Sequence, residues 1–328
     1  MGEPPGPAGR RWLQAAGLVA AAVLVAWVVR DLNGRAFLAA LEQARFSLLA
    51  LAAAVNLLAL AVQAWRWQRL LKPIGAIAYA TSLGAMFVGF TLSSLLPARV
   101  GEVARVQIVA RRMRVTVAAV AGTTVLDHVV NGVTLVPVAL IVPFFEGVPL
   151  WMRKGLLLVL GVTLVAGVLA WWAAAPDRER VSRRGLDRLI VELRSGFAAS
   201  RSPAEITRAC AIGGLAWVLE AGTAWLTLAA FGVHLGPAAA VILLIAVNLA
   251  VAIPATPANL GTFEVAAMLA LTALDVPRER AIACALGYHA LQLVPVWLAG
   301  AVAWLRMREW GADLALRQNS TRRRSHPA

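Results

Sequence analysis

Leu96-Pro97-Ala98-Arg99-Val100-Gly101-Glu102 interrupts an otherwise apolar segment, residues 74–114, and Pro254-Ala255-Thr256-Pro257-Ala258-Asn259-Leu260-Gly261 interrupts a second, residues 236–275. Proline removes a helical hydrogen bond and charge opposes burial in hydrocarbon, so neither segment reads as a plain membrane span. The interruptions share a pattern. Pro97-Ala98-Arg99-Val100-Gly101 and Pro257-Ala258-Asn259-Leu260-Gly261 both run Pro-Ala-polar-aliphatic-Gly, and each is soon followed by a glutamate, Glu102 or Glu264. Broken backbone at membrane depth is tolerated only where protein buries it or water wets it. Paired, interrupted hydrophobic segments in two halves of a chain point to an inverted repeat around a midplane transport site. Pro97, Gly101, Pro254, Pro257 and Gly261 are the expected helix-breaking residues.

Around these segments lie six uninterrupted apolar stretches, at 12–29, 47–65, 115–143, 155–173, 206–232 and 281–305. Each approaches or exceeds the length that crosses about 30 Å of hydrocarbon. The expected fold is therefore an all-α polytopic membrane protein, with about six full transmembrane helices and two re-entrant or broken hairpins in an inverted repeat. Residues 1–310 form one transmembrane domain on this reading, and 311–328 a basic, disordered cytoplasmic tail. Composition agrees: of 328 residues, 60% are hydrophobic and 15% charged, and the mean hydropathy is +0.73. Such values exclude a water-soluble fold of this size, a coiled-coil rod and intrinsic disorder. Two cysteines, Cys210 and Cys284, both within apolar stretches, exclude a disulfide scaffold.

The net charge of +14 comes from 31 Lys and Arg against 17 acids. In a membrane protein these cations flank spans and touch anionic lipid heads, and no nucleic-acid partner is expected. With the N-terminus in the cytoplasm, that side collects Arg10, Arg11, Arg66, Arg69, Lys72, Arg111, Arg112, Arg114, the run from Arg178 to Arg208 and the tail from Arg306 to Arg324. The other side keeps Arg30, Arg35, Arg45, Arg153, Lys154, Arg278 and Arg280. This bias predicts cytoplasmic N- and C-termini in a bacterial-type inner membrane, with the first hairpin entering from the cytoplasm and the second from the opposite face. In the loop 174–203, Arg183, Arg184, Arg188 and Arg194 interleave with Leu186, Leu189, Ile190 and Leu193 at helical spacing. That pattern predicts an amphipathic interfacial helix.

Ionisable residues at membrane depth point to the same place: Arg99, Glu102 and Arg105 in the first hairpin, Asp127 and His128 in the third span, Glu220 in the fifth, Glu264 in the second hairpin and His289 in the sixth span. An unpaired charge at the bilayer centre costs on the order of 3 kcal/mol, so such a set demands pairing or water. Thr123, Asp127, Asn131 and Thr134 fall at i, i+4, i+8 and i+11, one polar stripe on an apolar helix. Trp217, Glu220 and Thr227 form a second face, and His289 and Gln292 lie a turn apart on a third. The expected substrate-binding set is Arg99, Glu102, Arg105, Asp127, Asn131, Glu220, Asn259, Glu264 and His289. Two arginines beside broken backbone supply forked donors to a lipid phosphate, with Glu102 orienting an arginine. Glu264 and Asp127 balance charge or bind a coupling cation or headgroup amine. The alternative for the same residues is structural: ion pairs and hydrogen bonds that lock the bundle, such as Arg99 or Arg105 with Glu264, and Asp127 with His128 or Asn131.

There is no Walker loop, G-x-S-x-G, H-E-x-x-H or C-x-x-C, and no nucleophile and base stand at a diagnostic spacing. Enzymatic activity, a metal site and a cofactor are not expected.

The run Leu95-Leu96-Pro97-Ala98-Arg99-Val100-Gly101-Glu102-Val103-Ala104-Arg105 resembles the L-P-x-R-x-G-E-x-x-R signature of the lysylphosphatidylglycerol synthase transmembrane-region family, also called flippase-like membrane proteins. Pro254 to Glu264, with Asn259-Leu260-Gly261-Thr262-Phe263-Glu264, resembles that family's second signature, a proline-rich segment running into G-x-F-E. The resemblance implies a bundle with re-entrant hairpins that moves a lipid, or a lipid-linked headgroup, between leaflets. Bifunctional relatives carry a soluble aminoacyl-transferase domain, which is not expected here. Thr123-Thr124 stand where relatives carry a charged pair, and Asn259 where glycine is common, so the lipid is left open among an anionic phospholipid, an aminoacyl lipid and a polyprenyl-phosphate-linked lipid. The expected function is a lipid translocase working through a midplane polar cavity. The alternative is a non-transporting scaffold that holds a lipid-modifying enzyme or glycosyltransferase through the loop 174–203. Membrane lipids are the expected partners, and the reading also admits such an enzyme and a homo-oligomer.

Overall fold

The computed structural model describes residues 33–324 apart from 97–99, 141–149, 175–185 and 253–255, together with a few positions between 19 and 30. The first expected span, 12–29, lies for the most part outside the described residues. The helices are α1 (Gly34–Glu42), α2 (Phe46–Leu71), α3 (Tyr79–Leu95), α4 (Val100–Met113), α5 (Val117–Ala139), α6 (Leu150–Ala174), α7 (Leu186–Ser195), α8 (Pro203–Ala230), α9 (Pro237–Ala252), α10 (Thr262–Thr272) and α11 (Arg278–Arg324). No strand occurs among the described residues. Apolar runs without β-breaking punctuation take the helical form because only there can a single segment satisfy its own backbone in hydrocarbon.

Five helical stretches among the described residues are long and apolar enough to cross a membrane: Phe46–Ile74, Val117–Ala139, Met152–Leu169, Pro203–Ala230 and Arg278–Met307. The protein is thus an all-α polytopic membrane protein. Side chains set several of the helix ends. Thr116 Oγ1 accepts from the Ala119 N–H at the start of α5, and Ser202 Oγ accepts from Glu205 N–H at the start of α8, where Pro203 takes the first helical position.

The two interrupted segments each form a pair of short helices. α3 and α4 have 17 and 14 residues, and α9 and α10 have 16 and 11. At 1.5 Å per residue these are about 16 to 26 Å long, short of the ~30 Å core. α3 and α4 pack as an antiparallel hairpin whose tightest crossing is Gly89 against Gly101. Gly101, expected to break the helix, instead lies in the first turn of α4 and is buried. Its lack of a Cβ lets the α3 backbone approach, which is a packing requirement.

α2 and α8 are the central packed pair, with Ala52, Ala59 and Ala64 on one helix and Ala209, Gly213, Ala216 and Ala224 on the other among the buried residues. Small side chains permit close helix approach where no hydrophobic force drives association in lipid. α5 packs on both, α11 on α3, α10 and α1, and α9 on α8 and α10. α6 is peripheral, with Leu157, Leu158, Val162 and Val165 exposed, as suits a lipid-facing helix. α7 docks on α5 through Gly122 and Gly196.

The second expected span, 47–65, extends further: α2 runs on to Leu71, with Arg66, Trp67, Leu70 and Leu71 buried. α11 runs as helix through Arg324.

Candidate functional site

The polar interior is built in two parts. The first lies where α2, α5 and α8 meet. Arg66 Nε donates to Asp127 Oδ1 at 2.8 Å and Arg66 Nη1 to Asn131 Oδ1 at 2.9 Å. Arg66 is only 1% exposed. Gly213 of α8 makes room for it, since a Cβ there would stand 3.1 Å from Arg66 Nη1 and 2.7 Å from Thr134 Oγ1. One turn further up α2, Gln63 Nε2 donates to Glu220 Oε1 at 2.7 Å, and Trp217 Nε1 donates to the Asn131 carbonyl at 3.1 Å. Glu220 also lies within electrostatic reach of Arg66. Thr123, Thr124 and Thr134 turn their hydroxyls onto carbonyls one turn back in α5, so Asp127 and Asn131 carry the contacts between helices.

The second part lies at the break before α10. His289 Nδ1 and Glu264 Oε1 are 2.6 Å apart, and Glu264 Oε2 accepts the Gly261 N–H at 2.7 Å. Glu264 occupies the third position of α10, where a carboxylate satisfies an otherwise orphaned N–H. Phe263 stacks on His289, with ring centroids 4.2 Å apart and planes 11° from parallel. Both members of the pair are 4% exposed. The chain reaches them through a turn in left-handed backbone: φ is 51° at Ala258, 56° at Asn259 and 82° at Gly261. Only glycine adopts that region without steric penalty, so the break is held by its surroundings. Pro257 and Gly261 both lie in this turn between α9 and α10. Pro254 lies outside the described residues.

The end of α3 and the second break approach one stretch of α11. The Pro257–Asn259 turn packs against α3. Thr91 Oγ1 donates to the Val296 carbonyl at 3.1 Å, and Trp297 Nε1 donates to Ser94 Oγ at 2.7 Å. From His289 to Trp297 is about 12 Å along the helix. The end of α3 and the start of α10 therefore meet the same face of the bundle within two or three turns.

The partners differ from those anticipated. Glu264 pairs with His289 rather than Arg105, and Asp127 with Arg66 rather than His128 or Asn131, while His128 Nδ1 faces its own helix at the Thr124 carbonyl, 2.8 Å away. Arg105 is 3% exposed. Its Nη2 lies 2.7 Å from Glu102 Oε2, its Nη1 is 2.9 Å from Met86 Sδ, and its guanidinium stands 4.8 Å over the Trp67 ring. That is a locked arginine, bound by carboxylate and ring face together. Glu102 is partly open, its side chain 27% exposed. Arg99 and Pro97 lie outside the described residues. Asn259 contributes backbone, its carbonyl accepting from Thr262 Oγ1 at 2.9 Å. The structure joins Asp127, Asn131 and Glu220 in one cluster and Glu264 and His289 in another, and sets Glu102 with Arg105 apart at the first hairpin.

Arg66 and Gln63 are the members that sequence reasoning missed. Arg66 reads as a flanking cation because it falls near the end of a span. The signal was present: Asn56, Gln63 and Arg66 stand at i, i+7 and i+10, one face of α2. Asn56 shares that interior face, its Nδ2 donating to the Leu291 carbonyl of α11 at 3.2 Å.

These features define a polytopic membrane bundle with a paired polar interior and two broken hairpins. Residues 14–300 match the family model described as the lysylphosphatidylglycerol synthase TM region, and the chain belongs to that family. Membership ties it to lipid handling at the membrane. Comparison with curated proteins finds no match.

Proposed function

We propose that the protein is a lipid translocase, carrying a phosphate-bearing lipid between leaflets past the junction of its two broken hairpins. The observation that carries this reading is the approach of the end of α3 and the start of α10 to residues 289–297 of α11, beside a buried carboxylate and imidazole. Short helices and strained backbone at membrane depth are costly unless they line a path, and a lipid headgroup is what such a path admits. Arg99, in the first signature, is the arginine assigned to the phosphate. Arg105, already held by Glu102 and Trp67, positions that hairpin, and the Arg66–Asp127–Asn131 cluster fixes the bundle on which it swings. The inverted repeat, with hairpins entering from opposite faces, belongs to this proposal.

The rival reading, a scaffold for a lipid-modifying enzyme, differs in which arginines matter. In reconstituted vesicles the translocase reading predicts that Arg99→Ala abolishes protein-dependent exchange of a head-labelled anionic phospholipid or polyprenyl phosphate. Neutralising Arg183, Arg184 and Arg188 together leaves that exchange unchanged. The opposite pattern, with Arg99→Ala active and the loop variant inactive in cells, would overturn translocation in favour of the scaffold.

A further inference from the structure

We propose that the Glu264–His289 pair is the proton-binding site that drives this translocation, taking up and releasing one proton as the break at residues 257–261 closes and opens; the proposal rests on the translocase reading of the same site. With Glu264 ionised, its Oε1 can only accept at the 2.6 Å contact, which assigns the hydrogen between the two groups to His289 Nδ1 and leaves Nε2 as the nitrogen that binds or releases the proton. With Nε2 protonated the pair is an imidazolium beside a carboxylate and is neutral overall. Without it the pair keeps one negative charge, in a shell that includes Phe263, Ala267 and Tyr288. A dry interior does not hold an uncompensated charge, so proton loss and entry of water go together.

On this proposal the break is where water arrives and where the change is transmitted. Leu260 is 43% exposed although its neighbours in the turn approach a buried pair. The Gly261 N–H is tethered to the second carboxylate oxygen at 2.7 Å, so solvating Glu264 releases the backbone it caps. The Pro257–Asn259 turn in turn packs on α3, which links the site to the first hairpin.

Groups on the surrounding elements do not replace His289 as the cation. α9 has no titratable residue, α10 has no other than Glu264, and α3 has only Tyr79 at its far start. Close to His289, α11 itself adds Tyr288 and Cys284, its nearest charges, Arg278, Glu279 and Arg280, lying more than two turns before it and Arg306 more than four turns after it. Glu220 of α8 is held by Gln63, while Arg66 of α2 is engaged by Asp127 and Asn131.

The test uses the full chain in liposomes, with Cys210→Ser and Cys284→Ala, and a nitroxide on Leu260→Cys whose water accessibility is read by relaxation with a soluble nickel chelate. Accessibility should rise from acid to alkaline pH, and this dependence should be lost in Glu264→Gln and equally in His289→Gln. Glu264→Gln keeps the side-chain shape and an oxygen for the Gly261 N–H. The second variant guards against misfolding of the first. In a parallel arm, an imposed proton gradient should accelerate lipid exchange in the parent and have no effect in either variant. A pH-independent break, or pH dependence that survives in both variants, overturns the proton site even if exchange proceeds. A pH-dependent break that is lost in both variants, without exchange of any tested lipid, supports the proton site and overturns the translocase reading instead.

Discussion

Asp127→Ala should lower the unfolding free energy by about 3–5 kcal/mol, the cost of removing one partner from a buried ion pair. Arg66, 1% exposed in the parent, would lose the partner of its Nε and keep the hydrogen bond to Asn131 Oδ1. Glu220, the next carboxylate, is already bound to Gln63. In Arg66→Met/Asp127→Leu both charges leave together, and the desolvation they required leaves with them, so the double variant should recover most of the lost stability. Thermal unfolding of the detergent-solubilised protein measures both. If the single variant falls and the double recovers, the pair fastens the bundle. A double variant as unstable as the single would show that Arg66 holds more than Asp127 and Asn131.

The second large effect concerns backbone contact. Gly101→Ala should destabilise the protein by about 1–3 kcal/mol, as overpacking a filled interior does, despite alanine's better helix propensity. A Cβ at Gly101 would meet the Gly89 carbonyl oxygen and stand 2.6 Å from Ser93 N, both on the facing helix. Backbone cannot rotate away as a side-chain tip can, so the α3–α4 hairpin has to open. Gly161→Ala in α6 is the control. Nothing lies within 4 Å of a Cβ there, and relief of glycine's backbone freedom should stabilise that helix by about 0.5–1 kcal/mol. The same unfolding assay reads both, and a neutral Gly101→Ala would mean that the two short helices do not cross at this point.

Long-range order along the chain was legible because hydrophobic length is a one-dimensional property. The apolar stretches at 115–143, 155–173, 206–232 and 281–305 each contain most or all of a helix among the described residues, Val117–Ala139, Leu150–Ala174, Pro203–Ala230 and Arg278–Arg324, and the proline-rich interruptions fall between the short ones. The pairing of charges was not legible, since which carboxylate meets which cation is decided by helix packing. Arg66 illustrates the point. In the sequence it is one more cation at the end of a span, yet α2 keeps turning past it and carries it into the interior against Asp127. Gly101 shows the converse. A glycine after a proline reads as punctuation, whereas its neighbour is another backbone, Gly89, that no local pattern could announce. His289 and Gln292 were visible as a polar face, but Phe263 stacking on the imidazole and the Gly261 tether on Glu264 arise only once the break folds back on α11.

The measurement that tests the account most directly is leaflet exchange by the purified wild-type chain in liposomes containing no other protein, followed with head-labelled phosphatidylglycerol and with a labelled polyprenyl phosphate, with and without a proton gradient. The account predicts exchange of at least one of these lipids that scales with the amount of protein reconstituted. Exchange of both at the rate of protein-free vesicles, under every gradient, would contradict it.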